Sequence, residues 1–223
     1  MLIYIAIGLY LITFVLLLVS SIRSHKSVHR FVFKLINCFL FIVVSIISFL
    51  YRHIELNYFI PLLVAQIFSF IGDLFLGVNH LEKKTKYGAL GIVSFALAQI
   101  VFIFTFIYNY GFIPYLLFIP ILGLIVGEYI IYRLHIKDKK LYLSGGFYLL
   151  LMTSMVMATL GALILDPSWC SLIIFMGGLS FMVSDYTLMF KYYYPSKRIV
   201  FTTVSVSTYA LAQLLFALSV TLF

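Results

Sequence analysis

The sequence predicts an all-α fold, a polytopic membrane helix bundle of about eight transmembrane helices, on three observations. Hydrophobic residues make up 64% of the 223 positions against 10% charged, and the mean hydropathy is +1.16. A soluble core of this size cannot hide so much apolar surface, whereas lipid can. The apolar residues fall in eight runs, approximately 2–22, 32–51, 57–79, 89–110, 112–132, 142–165, 169–190 and 199–222. Each is near the roughly 20 residues that cross hydrocarbon as a helix. They are too long for barrel strands of about 10 residues, and a spanning segment must satisfy its own backbone. Almost nothing remains for a soluble part. Residues 1–223 read as one integral membrane domain, and any chemistry happens inside the bundle.

The first run lacks a basic leader and a small-residue cleavage site, so it reads as a retained helix rather than a removed signal peptide. The third carries Gln66, Asp73 and His80 seven apart, on one helix face. Gln66 suits either substrate orientation or helix bridging, and His80 sits at the membrane boundary. The fourth carries Gln99. The fifth carries Gly123, Gly127 and Glu128, the last close enough to Arg133 to pair locally. The seventh gathers Gly177, Gly178, Ser180 and Ser184 ahead of Asp185, and small residues of this kind let membrane helices approach closely. The eighth carries Tyr209 and Gln213, four apart and on one face. Cys38 and Cys170 fall near opposite membrane faces, with no disulfide geometry or metal-ligand spacing expected. His25 and His29 lack acidic or thiol companions and read as a solvated basic loop.

The net charge of +8 invites a nucleic-acid reading, which the distribution excludes. All but one of the 15 Lys and Arg residues lie on alternate connections. Arg23, Lys26, Arg30 and Lys34 follow the first run, and Lys83, Lys84 and Lys86 the third. Arg133, Lys137, Lys139 and Lys140 follow the fifth, and Lys191, Lys197 and Arg198 the seventh. Arg52 is the exception. The positive-inside rule then puts these loops in the cytoplasm and both termini outside, in a bacterial cytoplasmic membrane. Anionic headgroups are natural contacts for the same residues.

One phrase occurs twice: Phe95-Ala96-Leu97-Ala98-Gln99 and Tyr209-Ala210-Leu211-Ala212-Gln213. Upstream of each lies an aspartate in an apolar run, Asp73 and Asp185, by 26 and 28 positions. A duplicated module with half-repeats 1–110 and 111–223 accounts for this. Four helices per half make it a parallel 4+4 repeat about an axis along the membrane normal, with the aspartates facing each other.

An aspartate in hydrocarbon costs about 2.5–3.5 kcal/mol on insertion scales, so it marks function or a structural cap. Two such carboxylates in one site are expected to share a proton, giving an acid and a base together. No serine-nucleophile elbow, zinc-protease motif, phosphate loop or dinucleotide fingerprint is present.

At these residues the chain resembles the YhhN-type lysoplasmalogenase family of eight-helix membrane proteins. The resemblance rests on Gly72-Asp73 before an apolar run, Ser184-Asp185 near the end of the seventh helix, and Tyr209, Ala212 and Gln213 in the eighth. Helix number, lengths and motif order extend it over most of the chain. Two positions depart from the family pattern. Ala98-Gln99 stands where a Gly-His pair is common, and Lys34-Leu35 where Lys-Pro often opens the second helix. The resemblance implies hydrolysis of the vinyl ether bond of lysoplasmalogens to a fatty aldehyde and a glycerophospho-headgroup, with a lysophospholipid as substrate and membrane lipids as surroundings. A vinyl ether hydrolyses by protonation at its β-carbon, giving an oxocarbenium ion that water attacks. Glycosidases meet a related cation with two carboxylates. No metal or organic cofactor is required. Asp73 and Asp185 then take the acid and base roles, in either order. Gln99, Tyr209 and Gln213 position the ether oxygen or water, and Lys34 contacts the phosphate. Two other classes fit the same residues: a proton-coupled lipid or small-solute transporter or flippase, and a non-catalytic scaffold.

Overall fold

The computed structural model describes residues 2–23, 28–52, 55–82, 84–133, 139–193 and 198–223. His25, Lys26, Lys83, Lys137 and Lys197 lie outside this set, as do the side chains of Glu128, Lys139, Lys140, Lys191 and Arg198. Eight α-helices carry the described chain: α1 Leu2–Arg23, α2 Val28–Arg52, α3 Leu56–Glu82, α4 Thr85–Tyr110, α5 Phe118–Arg133, α6 Lys139–Leu165, α7 Trp169–Tyr193 and α8 Arg198–Ser219. Seven are long and apolar enough to cross a membrane, which makes this a multi-pass membrane protein.

The fifth run departs from the sequence expectation. A helix of only 16 residues, α5, follows a single 3-10 turn at Pro114–Leu117. The cause is local. Gly111 ends α4 at φ +106°, which only glycine adopts without strain, and Pro114 supplies no backbone N–H. Pro120 falls in the first turn of α5, where a missing N–H costs no helical bond. Pro61, near the start of α3, leaves the Asn57 carbonyl without its helical donor; Asn109 Nδ2 of α4 reaches that oxygen at 3.5 Å.

Helices α2, α3, α4, α6, α7 and α8 close into a ring, each packed on the next and α8 back on α2. In this ring α3 and α7 stand opposite one another. Outside it, α1 lies along α2 and α8, and α5 lies along α6. The neighbour pairs of the first half recur in the second: α1–α2 as α5–α6, α2–α3 as α6–α7, and α3–α4 as α7–α8. The break in this correspondence is that α1 packs on α8 whereas α5 has no comparable contact with α4.

Close helix approaches depend on glycines. A Cβ at Gly72 would stand 2.7 Å from the Phe95 ring, so the α3–α4 crossing beside Asp73 requires glycine. Gly177 receives the Phe216 ring in the same way, at 2.8 Å, and Gly123 and Gly127 receive Thr153 and Leu149 of α6. These are packing positions.

The ring interior is filled by aromatic side chains. Phe102 and Phe106 of α4, Phe181 of α7 and Phe216 of α8 have no exposed surface. Phe102 contacts Phe216 at 4.6 Å between centroids and Phe181 at 6.5 Å, and Phe106 meets Phe216 at 5.7 Å. These rings divide the interior into two ends. At the end away from the basic connections, Arg52 Nε donates to the Thr221 carbonyl, joining α2 to the end of α8. A cavity of about 410 Å³ opens there, lined by Asn109, Tyr110, Asp166 and Phe223 among others. The carboxylates of interest lie on the other side of the aromatic layer.

Candidate active site

Asp73 and Asp185 each sit roughly two turns inside the basic end of their helices. They occupy opposite walls of the ring, close enough for the charges of Asp73 and Lys34 to act on Asp185. No hydrogen bond joins the two carboxylates among the described residues. Each carboxylate instead has its own set of hydrogen-bond partners, on facing walls of the ring.

Asp73 is sealed, with 1% of its surface exposed. Its Oδ1 lies 2.5 Å from the Lys34 ammonium, and its Oδ2 accepts the Cys38 thiol proton at 3.0 Å. Lys34 and Cys38 are four apart on α2, so one helix face delivers both. The Lys34 ammonium also lies 5.9 Å from the centroid of the Tyr209 ring, a cation–π distance. The Tyr209 ring packs edge-on against Phe95 at 6.0 Å and Phe181 at 5.6 Å. Its hydroxyl is turned toward Asp73 without reaching hydrogen-bond geometry.

The second cluster is built differently. Asp185 is part-buried. Its Oδ2 accepts the Tyr148 hydroxyl of α6 at 2.6 Å and the Gln99 amide of α4 at 3.3 Å. Both donors are neutral, and both choose the same oxygen. Next to Asp185 along α7, the buried Ser184 hydroxyl donates to the Ser205 carbonyl at 3.0 Å, which fixes α7 against α8.

On the helices that carry these contacts, several buried polar atoms have no hydrogen-bond partner among the described residues. They include Gln99 Oε1, the Tyr209 hydroxyl and both amide atoms of Gln213. Such atoms are rare in packed interiors, because leaving one unpaired costs about 1–3 kcal/mol. They give the site donors and acceptors for a polar ligand.

Of the residues singled out in the sequence, Asp73, Lys34 and Tyr209 come together, and Asp185 and Gln99 come together. Gln213 lies a turn deeper along α8. Gln66 belongs to neither cluster. Its Oε1 accepts Ser45 Oγ at 2.5 Å and its Nε2 reaches the Gln213 carbonyl at 3.4 Å, so it bridges α2, α3 and α8. Cys38 and Cys170 are free and buried. Cys170 takes the Tyr110 hydroxyl proton at 3.4 Å, at the far end of the ring.

Two contributors escape a reading of the sequence alone: Cys38, considered there only for disulfide or metal use, and Tyr148. A signal existed. Cys38 precedes Asp73 by 35 positions and Tyr148 precedes Asp185 by 37, a shift of two that matches the aspartate-to-glutamine spacings. In each half, the helix before the aspartate supplies its side-chain donor.

No curated protein and no solved structure matches the chain. Residues 29–220 of the 223 match the family model for YhhN, a span that covers both carboxylate clusters and all six helices of the ring, and the chain belongs to the YhhN family.

Proposed function

We propose that the protein is a membrane-embedded hydrolase that cleaves the vinyl ether bond of lysoplasmalogen-type lysophospholipids, releasing a fatty aldehyde and the glycerophospho-headgroup. Family membership supports the hydrolase class. The observation that carries the reading is a pair of intramembrane carboxylates, buried Asp73 and part-buried Asp185, in an interior that also holds the unpartnered atoms of Gln99, Tyr209 and Gln213. Vinyl ether cleavage needs an acid to protonate carbon, negative charge near the resulting cation, and polar groups to hold water and the ether oxygen. General acid–base help of this kind contributes about 10²–10⁴-fold.

The aromatic layer of Phe102, Phe106, Phe181 and Phe216 favours chemistry over translocation, since these mutually packed rings, with no exposed surface, lie between the carboxylates and the far end. Substrate enters at the basic end with its alkenyl chain among apolar helix walls. Lys34 meets the phosphate there: an ammonium has three donors, and its side chain is 23% exposed while bound to Asp73. The basic connections face the cytoplasm of a bacterial membrane, with both termini outside.

The test is fatty-aldehyde release from a plasmenyl lysophospholipid by purified protein in detergent. Wild type releases aldehyde, and Asp73→Asn and Asp185→Asn, folded by the same thermal-unfolding criterion, lose most of it. Full activity in both variants would sink the proposal.

A further inference from the structure

We infer that the two aspartates are not interchangeable: Asp185 alone moves protons to and from the substrate, and Asp73 is a positioning residue that acts through Lys34. This rests on the hydrolase reading and divides its labour.

The hydrogen bonds carry the argument. Both oxygens of Asp73 are engaged, one by an ammonium at 2.5 Å and one by a thiol donor at 3.0 Å. A proton on Asp73 would break one of these contacts and leave the Lys34 charge without its counterion, which is costly for a largely buried ammonium. With 1% exposure, Asp73 also has no surface to offer a substrate atom. It is an anion that holds Lys34 against the Tyr209 ring.

Asp185 has the opposite properties. Tyr148 and Gln99 both donate to Oδ2, and no described residue hydrogen-bonds Oδ1. Oδ2 is thereby the carbonyl-type oxygen of a carboxylic acid, and Oδ1, on a side chain that keeps some exposed surface, carries the proton. The same two donors hold the carboxylate once that proton has left.

One group then completes the cycle. The Oδ1–H bond of Asp185 breaks as the π electrons of the vinyl ether form a C–H bond at the β-carbon. The remaining carboxylate stands beside the oxocarbenium ion. Water adds to the α-carbon, the one bonded to the ether oxygen, and returns a proton to Oδ1, giving a hemiacetal. Its collapse moves one proton from the hydroxyl to the leaving oxygen, yielding aldehyde and alcohol with Asp185 as it began.

Two measurements on the purified full-length protein decide the matter. Infrared spectroscopy at neutral pH shows the C=O stretch of a protonated carboxylic acid in wild type, lost in Asp185→Asn and kept in Asp73→Asn. Should Asp185→Asn not fold, Asp185→Glu shifts the band and Asp73→Glu does not. Absence of the band in wild type, or its loss with Asp73, overturns the assignment without reference to substrate. The second measurement is a kinetic cycle on plasmenyl lysophospholipid. Asp185→Asn lowers kcat by about 10²–10⁴-fold with little change in KM. Asp73→Asn, Lys34→Met and the double variant lose the same kcat/KM, mostly through KM, because two residues acting as one unit are not additive. A double variant worse than Lys34→Met, with kcat as low as in Asp185→Asn, makes Asp73 a proton carrier and overturns the inference. Wild type that releases no aldehyde refutes the hydrolase reading, and the infrared result still decides where the proton sits.

Discussion

Tyr148, on the helix that precedes α7 in the chain, donates its hydroxyl proton to the Asp185 carboxyl group at 2.6 Å. The contact crosses from one wall of the ring to its neighbour and is shorter than the Gln99 contact to the same oxygen, at 3.3 Å. Asp185 therefore owes its orientation chiefly to a residue on another helix.

Removing that hydroxyl is the first test of the site. In Tyr148→Phe the ring stays and the hydrogen bond goes, a loss of about 1.5–3 kcal/mol for a bond to a group that becomes charged. At 1.4 kcal/mol per tenfold, kcat falls about 10–100-fold. KM changes little, because the hydroxyl touches Asp185 and not the lipid. Steady-state aldehyde release measures both. A Tyr148→Phe enzyme as fast as wild type would remove Tyr148 from the site.

Gln66 gives the contrasting case. It shares a helix face with Asp73, yet its amide is spent on Ser45 and on the Gln213 carbonyl. Gln66→Met leaves the buried Ser45 hydroxyl unpaired, at a cost of about 1–3 kcal/mol. Thermal unfolding in detergent shifts down, while turnover per folded molecule stays within about twofold of wild type. Lost turnover at unchanged stability would move Gln66 into the chemistry.

The third prediction concerns the crossing that brings α4 to Asp73. Gly72→Ala drives a methyl into the Phe95 ring, whose nearest carbon would be 2.7 Å away. Overpacking of this kind costs about 1–3 kcal/mol. It also pushes the helix bearing Gln99 away from α3. Unfolding temperature and activity both fall, and Gly72→Ala with Phe95→Leu recovers part of each by vacating the space. No recovery in the double variant would show that the clash is not with Phe95.

How much of this was legible follows from where each signal resides. Helix number and order are written in composition and run length, which lipid imposes on every spanning segment, so the all-α bundle follows directly. Asp73, Asp185, Gln99 and Gln213 stand out because polar groups in hydrocarbon are scarce. Tyr148 does not, because it is one of 17 tyrosines and nothing local distinguishes it. The engagement of Lys34 with Asp73 is equally hidden. It depends on how α2 is rotated against α3, and a basic residue near a membrane boundary reads first as a topology signal. The shortened α5 was written in Gly111, Pro114 and Pro120, but the apolar run through them masked the interruption.

The last prediction separates catalysis from transport. Phe102 and Phe216 meet at 4.6 Å in the middle of the ring, with Phe106 and Phe181 beside them, and none has exposed surface. A proton-coupled transporter needs these rings to part in every cycle. Core aromatics of this kind are held by about 3–5 kcal/mol each, judged by truncation to alanine, and several would have to give way together. Proteoliposomes containing wild-type protein and an internal pH-sensitive dye therefore show no proton flux above empty liposomes, with or without lysophospholipid on either side. The same preparation releases aldehyde from plasmenyl lysophospholipid. Lysophospholipid-dependent proton entry without aldehyde would mean that the layer opens, and that Asp185 hands its proton across the membrane rather than to carbon.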